Sequence, residues 1–239
     1  MPQIQSLPMN CDGIARYYEP LEHLSFGKFL ERTRFAFLGE TRAARRAILC
    51  GGGDGRFLAR LLCVNPGVEV DFVDLSSKMV ELAEHRVAAM GRPFRDRVTL
   101  HAGDVREFEP RREGYDLIVT NFFLDCFAEQ ELAQVVARLA GNAAPQARWI
   151  VSDFREAEGS LGRLWTAAVI RALYAAFRVT TGLRVNRLPD YAAALTQRGF
   201  LLRCEETALG GLLFSSLWEG FAASSALAHP SGVLEMAGR

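Results

Sequence analysis

Two rhythms of apolar and polar positions run along this chain. Short apolar runs at 47–51, 68–74, 98–102, 116–120 (led by Tyr115) and 148–153 predict five buried strands. Between them the apolar residues fall at helical spacing. Residues 54–64 carry Phe57, Leu58, Leu61 and Leu62; residues 77–90 carry Met79, Val80, Leu82, Ala83 and Val87; residues 129–139 give a third helix. Asn65-Pro66-Gly67 marks a turn. Further on, Leu188-Pro189-Asp190 opens a helix that runs through Arg198. A strand at 199–205 and, after a Gly-Gly turn, another at 212–218 suggest a terminal antiparallel hairpin. The stretch 12–38 is helical but broken, with Ile14, Tyr17, Tyr18, Leu21, Leu24, Phe26, Phe29 and Leu30 interrupted by Pro20 and Gly27.

Strand and helix alternating five times predict an α/β domain with a mostly parallel sheet covered on both faces. Right-handed crossovers bring the C-terminal ends of the strands to one edge, where ligands of such sheets bind. Gly51–Gly55, Asp74, Asp104, Asn121–Asp125 and Asp153 would line that edge. The chain divides into an N-terminal helical cap (1–46), a core (47–153), a helical insert (154–188), a last helix with the hairpin (189–219) and a tail (220–239).

Composition narrows the setting. At 239 residues and 49% hydrophobic, the chain can form one large domain with a substantial core. Basic and acidic residues balance at 28 each, which argues against a nucleic-acid surface. Five scattered cysteines, the absence of a signal-like start and the lack of any bilayer-length apolar run predict a reduced, cytoplasmic protein with no transmembrane segment. No Cys/His cluster suggests a metal.

The chemistry concentrates in Cys50-Gly51-Gly52-Gly53-Asp54-Gly55-Arg56, a glycine-rich turn from strand to helix. Such a turn points backbone N–H groups outward and lets a ligand approach closely. A dinucleotide fingerprint wants a third glycine where Arg56 stands, and a phosphate loop wants Gly-Lys-Ser/Thr, which is absent. Asp74 at the end of the second strand can accept two hydrogen bonds from a ribose diol, or can cap the next helix. Ile48–Gly55, Val73-Asp74-Leu75-Ser76-Ser77-Lys78-Met79, Gly103-Asp104-Val105 and Tyr115–Leu124 stand in the order of the motifs of class I S-adenosylmethionine-dependent methyltransferases, and the chain resembles that family over 47–153. The resemblance implies a seven-stranded sheet of order 3-2-1-4-5-7-6 with S-adenosyl-L-methionine as cofactor. It places Gly51, Gly53 and Gly55 at the methionine part and Asp74 at the ribose. Leu75, Met79, Asp104 and Val105 fall at the adenine, and Asn121 at the methionine end. Where many relatives carry an acid two positions before the first glycine, this chain has Leu49; Asp54 or backbone and water would then meet the ammonium.

The acceptor is less legible. The Asn/Asp-Pro-Pro-aromatic motif of enzymes that methylate DNA bases and glutamine is replaced by Asn121-Phe122-Phe123. Asp125 is the candidate catalytic residue, to orient or deprotonate an acceptor, with a cap for the helix near Ala128 as its alternative. His23, His85, His101 and His229 show no spacing that marks a base. In the insert, Leu164, Trp165, Ala168, Val169, Ala172, Leu173, Ala176 and Phe177 form an apolar face punctuated by Arg163, Arg171 and Arg178. A lid over a hydrophobic small-molecule acceptor, an extra packed helix and a homodimer contact all fit it. Residues 14–27 loosely resemble quinone C-methyltransferases, which would bring Tyr17 or Tyr18 to the cofactor. The function expected is methyl transfer to a small, hydrophobic acceptor. The alternatives are a non-catalytic nucleoside-binding relative and a quinone-like C-methyltransferase.

Overall fold

The computed structural model describes residues 28–110, 114–157, 159–181 and 188–221, with the side chains of 161 and 176–181 set aside. A helix α1 (Lys28–Phe35) precedes β1 (Arg46–Cys50), α2 (Arg56–Val64), β2 (Glu69–Asp74), α3 (Ser77–Met90), the short α4 (Arg92–Arg95) and β3 (Val98–Ala102). The second half runs β4 (Tyr115–Asn121), α5 (Glu129–Gly141), β5 (Ala143–Phe154), α6 (Ser160–Thr181), α7 (Tyr191–Gln197), β6 (Phe200–Ala208) and β7 (Leu213–Gly220). These strands form one sheet of order 3-2-1-4-5-7-6. β1 to β5 are parallel, and β7 runs antiparallel between β5 and β6.

The alternation of side chains along each strand divides the core in two. Leu49, Phe72, Leu117 and Val119 pack under Phe57, Leu58, Leu61 and Leu62 of α2 and Ala83 and Val87 of α3. Ile48, Cys50, Val73, Ile118 and Trp149 pack under Leu132, Val135, Val136 and Leu139 of α5 and Leu195 of α7. Arg97 ties the turn before β3 to the end of α2, donating to the carbonyls of Asn65 and Leu62. Asp116 accepts the backbone N–H groups of Arg45 and Arg46, so β4 fixes where β1 begins, while the Arg42, Arg45 and Arg46 side chains stay exposed.

Several boundaries differ from the sequence expectation, and two of them have a clear physical cause. β5 begins at Ala143, well before 148, because Gln146 takes a left-handed φ of 63° and the ladder to β4 slips between Tyr115 and Leu117. This bulge lets a strand continue past Pro145, which has no N–H to give to the ladder. α2 begins at Arg56 rather than 54, since Gly55 is left-handed with φ 80° and cannot continue a helix backwards. Among the described residues no helix is long and apolar enough to cross a membrane.

Candidate active site

The glycine turn after β1 is held open by sterics that only glycine meets. Gly51, Gly53 and Gly55 all have positive φ. A Cβ on Gly51 would lie 2.3 Å from Phe123 Cδ2, and one on Gly55 would lie 2.8 Å from the Ala83 Cα of α3. The turn is therefore clamped between the acceptor-side residue Phe123 and the helix that follows β2.

Asp74 joins that turn to the next. One carboxylate oxygen accepts the Gly53 N–H at 3.0 Å and the other accepts the Ser76 N–H at 3.0 Å. The N-cap of α3 is Ser76, whose hydroxyl accepts from Met79 N, so Asp74 is not that cap. Leu75 is exposed beside it, and Met79 and Val105 are buried.

Two other acids are committed to arginines. Asp54 is buried; its carboxylate accepts from Arg56 Nε at 3.1 Å and Arg86 Nη2 at 3.1 Å, and its carbonyl accepts from Arg86 Nε. The ammonium role open to Asp54 from the sequence would have to compete with both guanidinium groups. Asp104 takes the Arg106 N–H at 2.8 Å and that residue's guanidinium on both oxygens, and Arg106 also reaches Glu131 at 2.7 Å. Burial pushes the Asp104 carboxyl up, but these Arg106 bonds and charge hold it below the usual carboxylate range. An adenine amino group would have to share a carboxylate already filled by Arg106.

At the end of β4, Asn121 is only 8% exposed and its Oδ1 has no hydrogen-bond partner. A buried carbonyl oxygen left unpaired is costly, and ligand sites are where such atoms are kept. It fits the vacancy that Leu49 creates: an acceptor for the cofactor's ammonium. With the glycine cradle and Asp74, the residues present fit S-adenosylmethionine.

The chain then turns through Phe122, whose φ is 54°, into a 3-10 turn over Leu124–Cys126. Here lies Asp125, facing Asp153 at the end of β5. Asp153 accepts the Asp125 N–H at 3.2 Å and the Phe154 N–H at 2.9 Å. Cys126 Sγ donates to Asp125, and the Tyr174 hydroxyl of α6 donates to the Asp125 carbonyl at 3.3 Å. Burial pushes Asp125 up to about 6, against those hydrogen bonds. Burial and then the Asp125 charge push Asp153 well above its ordinary value. Burial and both carboxylates push the Tyr174 hydroxyl up, so it keeps its proton and stays a donor. Asp125 does not cap α5; the Glu131 side chain accepts the Ala128 N–H there.

Tyr174, Arg86 and Arg106 were not singled out from the sequence. Each acts on a partner distant in sequence or, for Arg106, through an Asp104–Arg106–Glu131 chain whose last member is remote. Only the helical period of the insert pointed toward Tyr174. The insert's apolar face is split: Ile170 and Tyr174 are buried, but Leu164 and Trp165 are 70% and 52% exposed. Arg163 pairs with Glu156 and Arg171 is exposed. Tyr17, Tyr18, His23, His229 and Arg178 lie outside what is described of the structure, as do the side chains of Ala176 and Phe177.

Comparison with known proteins agrees with this geometry. Residues 50–149 match the model of a methyltransferase domain. The chain is 26% identical over 198 residues to a bovine N-terminal Xaa-Pro-Lys N-methyltransferase 1, covering 78% of this chain and 86% of that protein. It is 35% identical over 106 residues to a malonyl-[acyl-carrier protein] O-methyltransferase of Priestia megaterium, covering 44% of this chain and 34% of the other. Among solved structures, an O-methyltransferase family protein from Burkholderia thailandensis superposes with a TM-score of 0.60 at 19% identity, over 89% of this chain; this chain spans 58% of that one. The N-methyltransferase NodS of Bradyrhizobium japonicum, in complex with S-adenosyl-l-homocysteine, superposes with a TM-score of 0.58 at 15% identity, over 85% of this chain and 97% of the other. The fold is that of a class I Rossmann-like methyltransferase. Over residues 50–149 the chain carries a methyltransferase domain, for which S-adenosylmethionine is the cofactor.

Proposed function

We propose that this enzyme methylates a small molecule with an apolar body, bound between the turn after β4, the end of β5 and α6. The observation that carries this is the Asp125–Asp153 pair, set beside the glycine turn's neighbour Phe123 and among Phe122, Phe154 and Tyr174. Bound S-adenosylmethionine would supply a methyl group on a sulfonium, already electrophilic, so the protein's work is alignment and proton removal. Gly51, Gly53 and Gly55 would hold the methionine part and Asp74 the ribose, with Leu75, Met79 and Val105 around the adenine. Asp104 would shape the adenine turn through Arg106. Asn121 would take the ammonium that Leu49 does not. Asp125 would face the acceptor as orienting group or base.

The half of α6 that packs near Leu30, Phe154 and Leu213 gives the acceptor side its apolar wall. The names of the relatives include both a nitrogen and an oxygen acceptor, so they do not choose the atom. Calorimetric titration with S-adenosylhomocysteine, with NAD as control, tests the donor site on wild type and Asp74→Ala. Binding of the sulfur nucleoside that weakens in the variant is expected. Binding of NAD alone, or of neither, would overturn the assignment. Methyl transfer to pooled small molecules, or its absence despite tight cofactor binding, separates an enzyme from a binding protein.

A further inference from the structure

We propose that the acceptor atom is an amine nitrogen, held by Asp125 and Asp153 together and relieved of its proton by that pair. The inference rests on the acceptor-side assignment above and adds the chemistry of the substrate. It starts from the juxtaposition of the two acids, where Asp153 accepts the Asp125 N–H at 3.2 Å, and from the burial of both. Two buried carboxyls in contact do not both ionise; they share one proton and carry one negative charge between them.

Aromatic rings stand around the pair, with the Arg34 and Arg155 guanidinium groups beyond them. Phe122 and Phe154 lie with ring centroids 5.4 Å apart, and Tyr174 closes over Asp125 from α6. Aromatic faces attract cations. Phe122 already does so on one side, where the Arg34 guanidinium lies 5.5 Å from the ring centroid. The other titratable groups around the pair are Cys126, whose thiol donates to Asp125, Tyr174 and Tyr191, whose hydroxyls burial pushes up, and Arg155, whose guanidinium bonds Glu205 and stacks over Phe214.

Charge bookkeeping then selects nitrogen over oxygen. An ammonium meeting the anionic pair can pass it one proton, leaving a neutral amine and a neutral pair. Burial favours that exchange, because two charges vanish in a low-dielectric site. A phenol passing its proton to the same pair only moves the negative charge, so burial gives no help. An alcohol is a far weaker acid than the pair can deprotonate. The amine lone pair then forms the N–C bond as the S–C bond breaks and its electrons return to sulfur. The product leaves as a methylated ammonium, and the pair's extra proton leaves to solvent.

The test is calorimetric binding at pH 7.5, on protein saturated with S-adenosylhomocysteine, so no turnover is needed. The probes are 2-phenylethylamine, 2-phenylethanol and 3-phenylpropionate. The amine is expected to bind at least tenfold more tightly than the other two. Asp125→Asn and Asp153→Asn should each remove that preference while still binding S-adenosylhomocysteine, which shows that the variants are folded. Equal binding of amine and alcohol, preference for the carboxylate, no amine binding, or a preference that survives both substitutions would overturn the inference. Failure of wild type to bind S-adenosylhomocysteine would instead overturn the methyltransferase assignment beneath it.

Discussion

The acids on the two sides of the strand edge are treated differently. On the donor side each has a partner of opposite sign or a row of N–H groups: Asp54 has Arg56 and Arg86, Asp104 has Arg106, and Asp74 has two backbone amides. On the acceptor side Asp125 and Asp153 have chiefly each other, with hydrogen bonds from a thiol, a phenol and backbone amides. A satisfied carboxylate builds a rigid cradle and has little left for chemistry. A pair of buried carboxyls that destabilise each other keeps proton affinity in reserve, which a reaction can use. The difference separates holding a ligand from acting on one.

The sharpest way to break this contrast is at the cradle. Gly55→Ala places a Cβ against the Ala83 backbone at a φ of 80°, and both strain and clash oppose it. A loss of about 2–4 kcal/mol in urea unfolding is expected, with S-adenosylhomocysteine binding abolished. A variant as stable as wild type would mean that α3 can retreat from the turn. Next comes Asp74→Ala, which removes the acceptor of two N–H groups and of the ribose. A ten- to hundredfold weaker S-adenosylhomocysteine affinity is expected by calorimetry, about 1.5–3 kcal/mol for hydrogen bonds to a charged group.

The pair itself predicts an unusual pH dependence. A carboxyl whose folded pKa is raised binds its proton more tightly folded than unfolded. Its contribution is therefore fully present below about 4, the ordinary unfolded value, and is lost as pH rises through about 6 for Asp125 and further for Asp153. Wild type should lose roughly 2 kcal/mol between pH 4 and 8 relative to Asp153→Asn, read as urea midpoints. Parallel curves for the two proteins would show that the pair carries no such strain. The smallest effect belongs to the exposed face of α6. Trp165→Ser should change stability by no more than about 0.5 kcal/mol, whereas Ile170→Ala on the buried face should cost about 2 kcal/mol or more. A large effect at Trp165 would mean that this face is covered in solution by another surface.

How much of this could be read from the sequence follows from how local each signal is. The glycine turn, Asp74 and the strand rhythm are written within a few residues, and the sheet order was legible from the motif resemblance. The start of β5 was not, because Pro145 and Gln146 carry a loop signature that a bulge absorbs. Arg56 was noticed only as a missing glycine, though with Asp54 it forms a buried ion pair. Asp125 and Asp153 were both placed on the edge, yet their mutual contact depends on the 3-10 turn at Leu124–Cys126, and Tyr174 reaches them only through the fold. Pair energetics cannot be read from positions taken singly.

The seating of Phe123 on Gly51 has a consequence in time as well as space. That ring stands 5.0 Å from the ring of Phe127 at the start of the next helical segment. The donor turn and the acceptor turn therefore share one joint, and neither can be reshaped alone. A fluorine label on Phe127 is therefore expected to report arrival of the nucleoside before any acceptor is added, and a resonance that does not move on its binding would show that the two turns adjust separately.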